Sequence, residues 1–282
     1  MPRVTFRNAR GSRLVADYVT PGGGGAARDG AGDVARDGAG PTASPGRLAA
    51  DTPLVVLAHG FGSQRRARDR FPTVARAFAA AGYATLAFDF AGSGESDDDV
   101  LTLDHEVEDL LAAIAYGRSL GHERIGLVGH SLGGRVCLQA SPADVTTIAT
   151  AGAPTGPVEY DWHDYFTAGQ MDELARTGRV TMPQDTGPRA AVVADVSLLE
   201  ELVGCDQRAL FARVRCPVLL IDGDGDAEEL DYLALAQRGL PLLPRGSRVE
   251  VVAGCPHNLV GHLDEVVALL LAWLGEHLPA GG

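Results

Sequence analysis

Arg124-Ile-Gly-Leu-Val128 runs directly into Gly129-His-Ser131-Leu-Gly133-Gly134, and the rest of the chain is read outward from this stretch. Residues 124–128 have the apolar character of a strand, and a helix is expected from about Leu132. Between them lies G-x-S-x-G. Glycines at 129 and 133 permit a sharp strand-to-helix turn, which lifts the serine hydroxyl above the edge of a sheet. The bland alternative is an ordinary βα turn with an incidental serine. The position between an apolar strand and a helix favours a nucleophile at Ser131.

The flanking sequence alternates in the same way. Strands are expected at 4–8 and 13–19 as a hairpin, then at 54–58, 84–88, 124–128, 145–151, 218–222 and 248–252. Helices are expected from about Phe71, with Pro72 at the first position, then through Val107, Leu110, Leu111 and Ile114, and over 228–237 and 262–277. Leu54-Val-Val-Leu-Ala58 is apolar without a break, as a strand buried on both faces must be. The fold class is therefore α/β, a mostly parallel doubly wound sheet with antiparallel strands at the N-terminus.

Two segments break the rhythm. Residues 21–50 hold nine Gly, eight Ala and three Pro, with Ala-Arg-Asp-Gly-Ala-Gly occurring at both Ala27 and Ala35. That composition cannot offset ordering entropy, so a disordered loop is expected. Residues 154–214 hold Tyr160, Trp162, Tyr165 and Phe166 among several Pro and Gly, with two helical pieces ending at Val203 and Val214. This segment reads as a small cap over the strand ends, where open α/β sheets bind ligands. One domain over 1–282 accommodates both.

His59-Gly-Phe-Gly62, Asp89-Phe-Ala-Gly-Ser-Gly-Glu-Ser96 and Gly129-His-Ser-Leu-Gly-Gly134 together resemble the α/β-hydrolase superfamily. The chain is most similar to its serine aminopeptidase-like branch, which includes the feruloyl (cinnamoyl) esterases. The likeness runs from about residue 54 to the C-terminus and is weakest in the cap. It implies an oxyanion hole made by the backbone N–H groups of Phe61 and Leu132, with His59 a buried structural residue. It also implies a chain order of nucleophile, acid, histidine. The acid falls in Gly223-Asp-Gly-Asp226, which points to Asp226 with Asp224 as rival; Asp222 stands where many relatives carry His. Cys255-Pro-His257-Asn258 matches the histidine turn, making His257 the base, and His262 is read as a surface residue. His105, His122, His163 and His277 have no such context. Asp89 is expected to fix the loop that follows it, and the acidic run 95–99 to be a solvated face.

A serine hydroxyl is a weak nucleophile at neutral pH and needs such a base. The resemblance implies hydrolysis of a carboxylic ester through an acyl-enzyme, without metal or cofactor. Trp162, Tyr165 and Phe166 either line an acyl or aryl pocket or form the cap's own small core. An aminopeptidase-type peptidase and a non-hydrolysing ligand-binding protein are the alternatives.

Composition narrows the classes further. Acidic residues exceed basic ones by 37 to 24, all 24 basic residues are Arg, and Asn occurs only at 8 and 258. The net charge of −13 disfavours nucleic acid and anionic membranes as partners; a small-molecule ester as partner is what the resemblance implies. The longest apolar run, 266–274, is too short to span a bilayer, which needs about 20 residues. With no export signal recognised at the start and four cysteines (137, 205, 216, 255) forming no CxxC, a cytoplasmic protein with reduced, packed thiols is expected.

Overall fold

The computed structural model describes residues 1–22, 51–184 and 187–281. The loop expected over 21–50 lies almost wholly outside the described residues.

Strands β1 (Arg3–Arg7) and β2 (Arg13–Val19) form the N-terminal hairpin. After it come β3 (Leu54–Ala58), α1 (Arg70–Ala80), β4 (Ala84–Asp89), α2 (Leu103–Ser119), β5 (Ile125–His130), α3 (Leu132–Ala140) and β6 (Thr147–Ala151). The intervening segment contributes α4 (Trp162–Tyr165), α5 (Ala168–Thr177), the hairpin β7 (Arg179–Pro183) and β8 (Ala191–Asp195), α6 (Val196–Val203) and α7 (Gln207–Ala212). The chain finishes with β9 (Val218–Gly223), α8 (Ala227–Gly239), β10 (Arg248–Val252) and α9 (Leu263–His277).

The main sheet runs β1-β2-β4-β3-β5-β6-β9-β10. Its first two pairings, β1 with β2 and β2 with β4, are antiparallel, and the rest are parallel. Both faces are covered, which explains why the central strands carry no polar alternation. Leu54 and Val56 pack with Leu110 of α2 and Val136 of α3, whereas Val55 and Leu57 pack with Phe78 of α1 and Trp273 of α9.

Three differences from the sequence reading have clear causes. The hairpin β7–β8 was not expected, because its short strands sit among Pro and Gly. It is fastened to the body by Leu101, whose N–H donates to the Val193 carbonyl (2.8 Å) and whose carbonyl accepts from Asp195 (3.0 Å). The buried face of α2 is turned from the expected apolar stripe, so Leu111 is exposed while Glu106 and Asp109 are buried. Asp109 accepts from the Asn8 amide (2.7 Å), the Arg10 guanidinium (2.9 Å) and the Ala91 N–H (2.7 Å), which compensates its burial. The acidic run 95–99 is ion-paired as well as solvated, with Asp98 exposed: Glu95 meets Arg3 and Arg65, Asp97 meets Arg13, Asp98 meets Arg189 and Asp99 meets Arg10. Asp89 is fully buried and accepts from the N–H groups of Arg65 (2.7 Å) and Glu95 (2.9 Å), pinning the loop as expected.

Candidate active site

Ser131 occupies the turn from β5, at the middle of the sheet, into α3. Its φ of 55° and ψ of −127° lie outside the regions ordinary residues favour. The turn is held because the Ser131 N–H donates to the Ala151 carbonyl of β6 (2.9 Å) and its own carbonyl accepts from Gly134 (2.9 Å). A Cβ on Gly133 would stand 2.2 Å from the Ala58 carbonyl oxygen, so only glycine lets α3 start this close to β3.

His257 comes from the loop after β10 and its Nε2 lies 3.0 Å from Ser131 Oγ. On the other side of the ring, Nδ1 lies 2.7 Å from Glu229 Oε1. This corrects the expectation for the acid. Asp226 does not face the ring: its Oδ2 accepts from the His257 backbone N–H (2.8 Å), and its Oδ1 caps α8 by accepting from the Glu229 N–H (2.9 Å). Asp224 accepts from the Gly254 N–H. The carboxylate on the imidazole belongs to the third residue of α8, just beyond the turn that the motif singles out. Glu229 is fully buried, and its Oε2 also accepts from the Gly223 N–H (2.5 Å). Nearby Asp222 is buried with Oδ2 lacking a partner among the described residues; burial, and secondarily the charge of Glu229, raises its carboxyl well above the ordinary value.

Burial by itself would lower the His257 pKa, but the Glu229 hydrogen bond and the charges of Glu228, Glu229 and Asp226 outweigh it and leave it raised. Glu228 Oε1 stands 3.9 Å from His257 Nε2 and accepts the Tyr232 hydroxyl (2.7 Å).

His130 went unnoticed in the sequence. Its Nδ1 takes a hydrogen bond from Arg70 Nη1 (3.0 Å), and its Nε2 lies 2.9 Å from the His257 carbonyl. A guanidinium only donates and a carbonyl only accepts, so His130 is the neutral Nε2–H tautomer. Burial and the adjacent Arg70 charge push its pKa well below the usual value. The ring thus ties the serine turn to the histidine loop. Gly152 was also missed. Its φ is 59°, and a Cβ there would stand 2.4 Å from Glu229 Oε1 and 2.9 Å from His257 Nδ1.

His59 is buried; its Nδ1 lies 2.9 Å from the Gly60 carbonyl and its Nε2 accepts from the Phe90 N–H (3.3 Å). A Cβ on Gly60 would be 3.0 Å from Ser131 Cβ, which places the 59–62 turn against the serine. The N–H groups of Phe61 and Leu132 donate to no acceptor among the described residues. An open cavity of about 320 Å³ adjoins Ser131 and His257, with Phe61, Arg68, Arg70 and Gln184 in its wall. Trp162, Tyr165 and Phe166 are not part of that wall. Trp162 stacks on Tyr160 and Phe166, with ring centroids 4.8 Å and 5.7 Å away, and Tyr165 is exposed. His262, expected at the surface, lies near the start of α9 and is partly exposed, its Nδ1 3.9 Å from Glu265. Among the described residues no group of three His, Cys, Asp or Glu is placed to hold a metal, and no helix is long and apolar enough to cross a membrane. All four cysteines are buried and unpaired.

A parallel-rich sheet with a serine raised at its centre, and a histidine brought to it from the last strand, defines a hydrolase-type α/β fold. Residues 55–269 match the alpha/beta hydrolase family, and the chain belongs to it. An Escherichia coli protein designated "uncharacterized 31.7 kDa protein in traX-finO intergenic region" is 38% identical over 135 residues, which is 44% of this chain and 43% of that protein. The quorum-quenching protein AidA of Acinetobacter baumannii (strain MDR-ZJ06) is 39% identical over 99 residues, 33% of this chain and 32% of that protein. The chain thus matches less than half the length of these curated relatives. Among solved structures, ferulic acid-bound Est1E from Butyrivibrio proteoclasticus superposes with a TM-score of 0.67 at 18% identity, covering 98% of this chain and 99% of that one. The esterase domain of a Rhodothermus marinus protein gives 0.63 at 22% identity, with 98% of each chain covered. At these identities the likeness concerns the fold.

Proposed function

We propose that the protein is a serine hydrolase that cleaves a carboxylic ester through an acyl-enzyme. The observation that carries this reading is the unbroken line from Glu229 through His257 to Ser131, with contacts of 2.7 Å and 3.0 Å. Ser131 Oγ attacks the ester carbonyl carbon while His257 Nε2 takes its proton. Glu229 keeps Nδ1–H toward itself, so Nε2 is the lone-pair nitrogen, and stabilises the imidazolium as it forms. The carbonyl oxygen, now negative, receives the N–H groups of Phe61 and Leu132; losing one such donor typically costs about 10²- to 10³-fold in rate. His257 returns the proton to the leaving alkoxide. Water, deprotonated by the same nitrogen, then releases the acid. In this reading Asp226 is a positioning residue that holds the backbone of His257.

The test is the intact mass of the protein after treatment with a fluorophosphonate, for wild type and Ser131→Ala in parallel. One adduct on wild type and none on the variant is the expected result. No adduct on folded wild type would overturn the mechanism and favour a non-hydrolysing ligand-binding role.

A further inference from the structure

The cavity beside Ser131 contains two arginines whose charges have no carboxylate partner among the described residues, which stands out in a chain of net charge −13. Neighbouring arginines differ. Arg65 meets Asp17, Asp89 and Glu95; Arg66 meets Asp17; Arg76 meets Asp69. Asp69 lies between Arg68 and Arg70 in sequence, yet its carboxylate is used by Arg76 (2.7 Å). Arg68 and Asp69 both have φ of 53°, a left-handed conformation that costs energy in side-chain-bearing residues and persists only where the surroundings enforce it. The turn they form places Arg68 in the cavity wall with Arg70.

Arg70 spends two donors on neutral acceptors, His130 Nδ1 (3.0 Å) and the Asn258 carbonyl (2.9 Å). Because His130 is neutral and a donor at Nε2, neither contact compensates the cation. Burial, and secondarily repulsion from Arg68, lowers the Arg70 pKa to about 10. A partly buried cation without a counter-charge among the described residues is poised to gain from one. A planar guanidinium fits a carboxylate through paired N–H donors. The amides of Gln64 and Gln184 in the same wall can donate as well.

We propose that Arg68 and Arg70 form a subsite for a carboxylate on the substrate, so that the ester cleaved at Ser131 carries a negative charge on its acyl or its alcohol part. This rests on the hydrolase reading above. It separates the substrate class from neutral alkyl and aryl esters.

Two matched pairs of esters test it and tell the two sides apart. The acyl-side pair is 4-nitrophenyl hydrogen glutarate against its methyl-capped form. The alcohol-side pair is 4-carboxyphenyl butanoate against 4-carbamoylphenyl butanoate. In one pair the anionic member should be favoured in kcat/KM by about 10- to 100-fold, the worth of a charge-assisted hydrogen bond. Arg68→Gln and Arg70→Gln should each reduce that ratio, and Arg68→Glu should invert it. Arg70→Gln also loosens His130 and slows both members, so the ratio is the readout. A preference for the neutral member in both pairs, or a ratio unchanged by all three variants, overturns the proposal. If no ester is cleaved and Ser131 takes no fluorophosphonate, the hydrolase reading fails by itself. Calorimetric binding of glutarate then decides the subsite: binding to wild type that Arg68→Glu abolishes supports it, and no binding to wild type overturns it.

Discussion

Glu229 Oε1 sits 2.7 Å from His257 Nδ1, although 28 residues separate them in sequence and two aspartates stand closer to the turn that the motif marks. The backbone path explains it. Asp226 takes extended angles (φ −149°, ψ 172°) and caps α8 by accepting the Glu229 N–H, so the first helical turn swings Glu229 back beneath the β9 end, where Gly223 and His257 both meet its carboxylate. Compared with Asp226, Glu229 is one methylene longer and three residues further along, and its carboxylate is the one that meets the ring.

This geometry predicts an ordering of variants. Glu229→Gln should lower kcat by about 10²- to 10⁴-fold, since an amide neither balances the imidazolium nor enforces the tautomer. Asp226→Asn keeps an acceptor oxygen for only one of the two N–H groups, of Glu229 and His257, that the carboxylate serves, and should cost less than about tenfold in rate and about 1 kcal/mol in stability. Steady-state kinetics on both variants, with urea denaturation, would reverse this order if Asp226 were the acid.

The raised His257 pKa fixes the sign of a pH effect. The proposed mechanism needs the neutral ring, so kcat/KM should rise along an acid limb whose midpoint lies above 6.5. Glu228→Gln removes one of the charges that raise it and should move the limb to lower pH. Stability runs the other way. A folded pKa above the unfolded one contributes stability that is fully present below the unfolded value and is lost as pH rises through the folded value. Denaturation of Ser131→Ala across pH 5 to 9 checks the second half.

Asp222 gives a separate sign. Its carboxyl is raised by burial, so the folded state binds more protons than the unfolded chain at pH values between the two pKa values. Stability contributed at this site therefore falls as pH climbs above the ordinary carboxylate value. Asp222→Asn should raise Tm at pH 7 relative to wild type and do so less at pH 4, with ester turnover retained. Scanning calorimetry at the two pH values is the measurement.

Ser131 holds a positive φ that glycine adopts freely. Ser131→Gly should be more stable than Ser131→Ala by about 1 kcal/mol, or about 2–4 °C in Tm, while both lose activity. Equal melting temperatures would show the turn to be unstrained.

Gly152→Ala tests a residue outside every motif. Its Cβ would intrude on both Glu229 and His257, so labelling of Ser131 by fluorophosphonate should slow by about 100-fold while circular dichroism remains native. Labelling at the wild-type rate would mean the loop yields without disturbing the ring.

Much of this was legible in the chain. His257 was legible through the family resemblance; the continuous apolar run of β3, the hairpin of residues 4–8 with 13–19 and the serine turn are local signals. Each rests on dihedral preference or on burial of one residue among its immediate neighbours. The buried face of α2 was not legible, because Glu106 and Asp109 look like solvent residues until Asn8 and Arg10, about a hundred positions away, are seen to satisfy Asp109. The aromatics of the 154–214 segment follow the same logic: their spacing suits either a pocket or a core, and Trp162 stacks between Tyr160 and Phe166.

The linear pattern alone therefore carried the α/β alternation and the elbow at Ser131, since hydrophobic periodicity and glycine placement act within a few residues, while the histidine turn followed from the family resemblance. Which of the carboxylates between Asp222 and Glu229 meets the imidazole, and that His130 is neutral with Arg70 against it, was decided by the packing of loops from β5, β9 and β10 around the α1 entry. A hydrogen bond forms or fails over a few tenths of an ångström, and that distance is set between segments that approach each other only when the sheet is assembled.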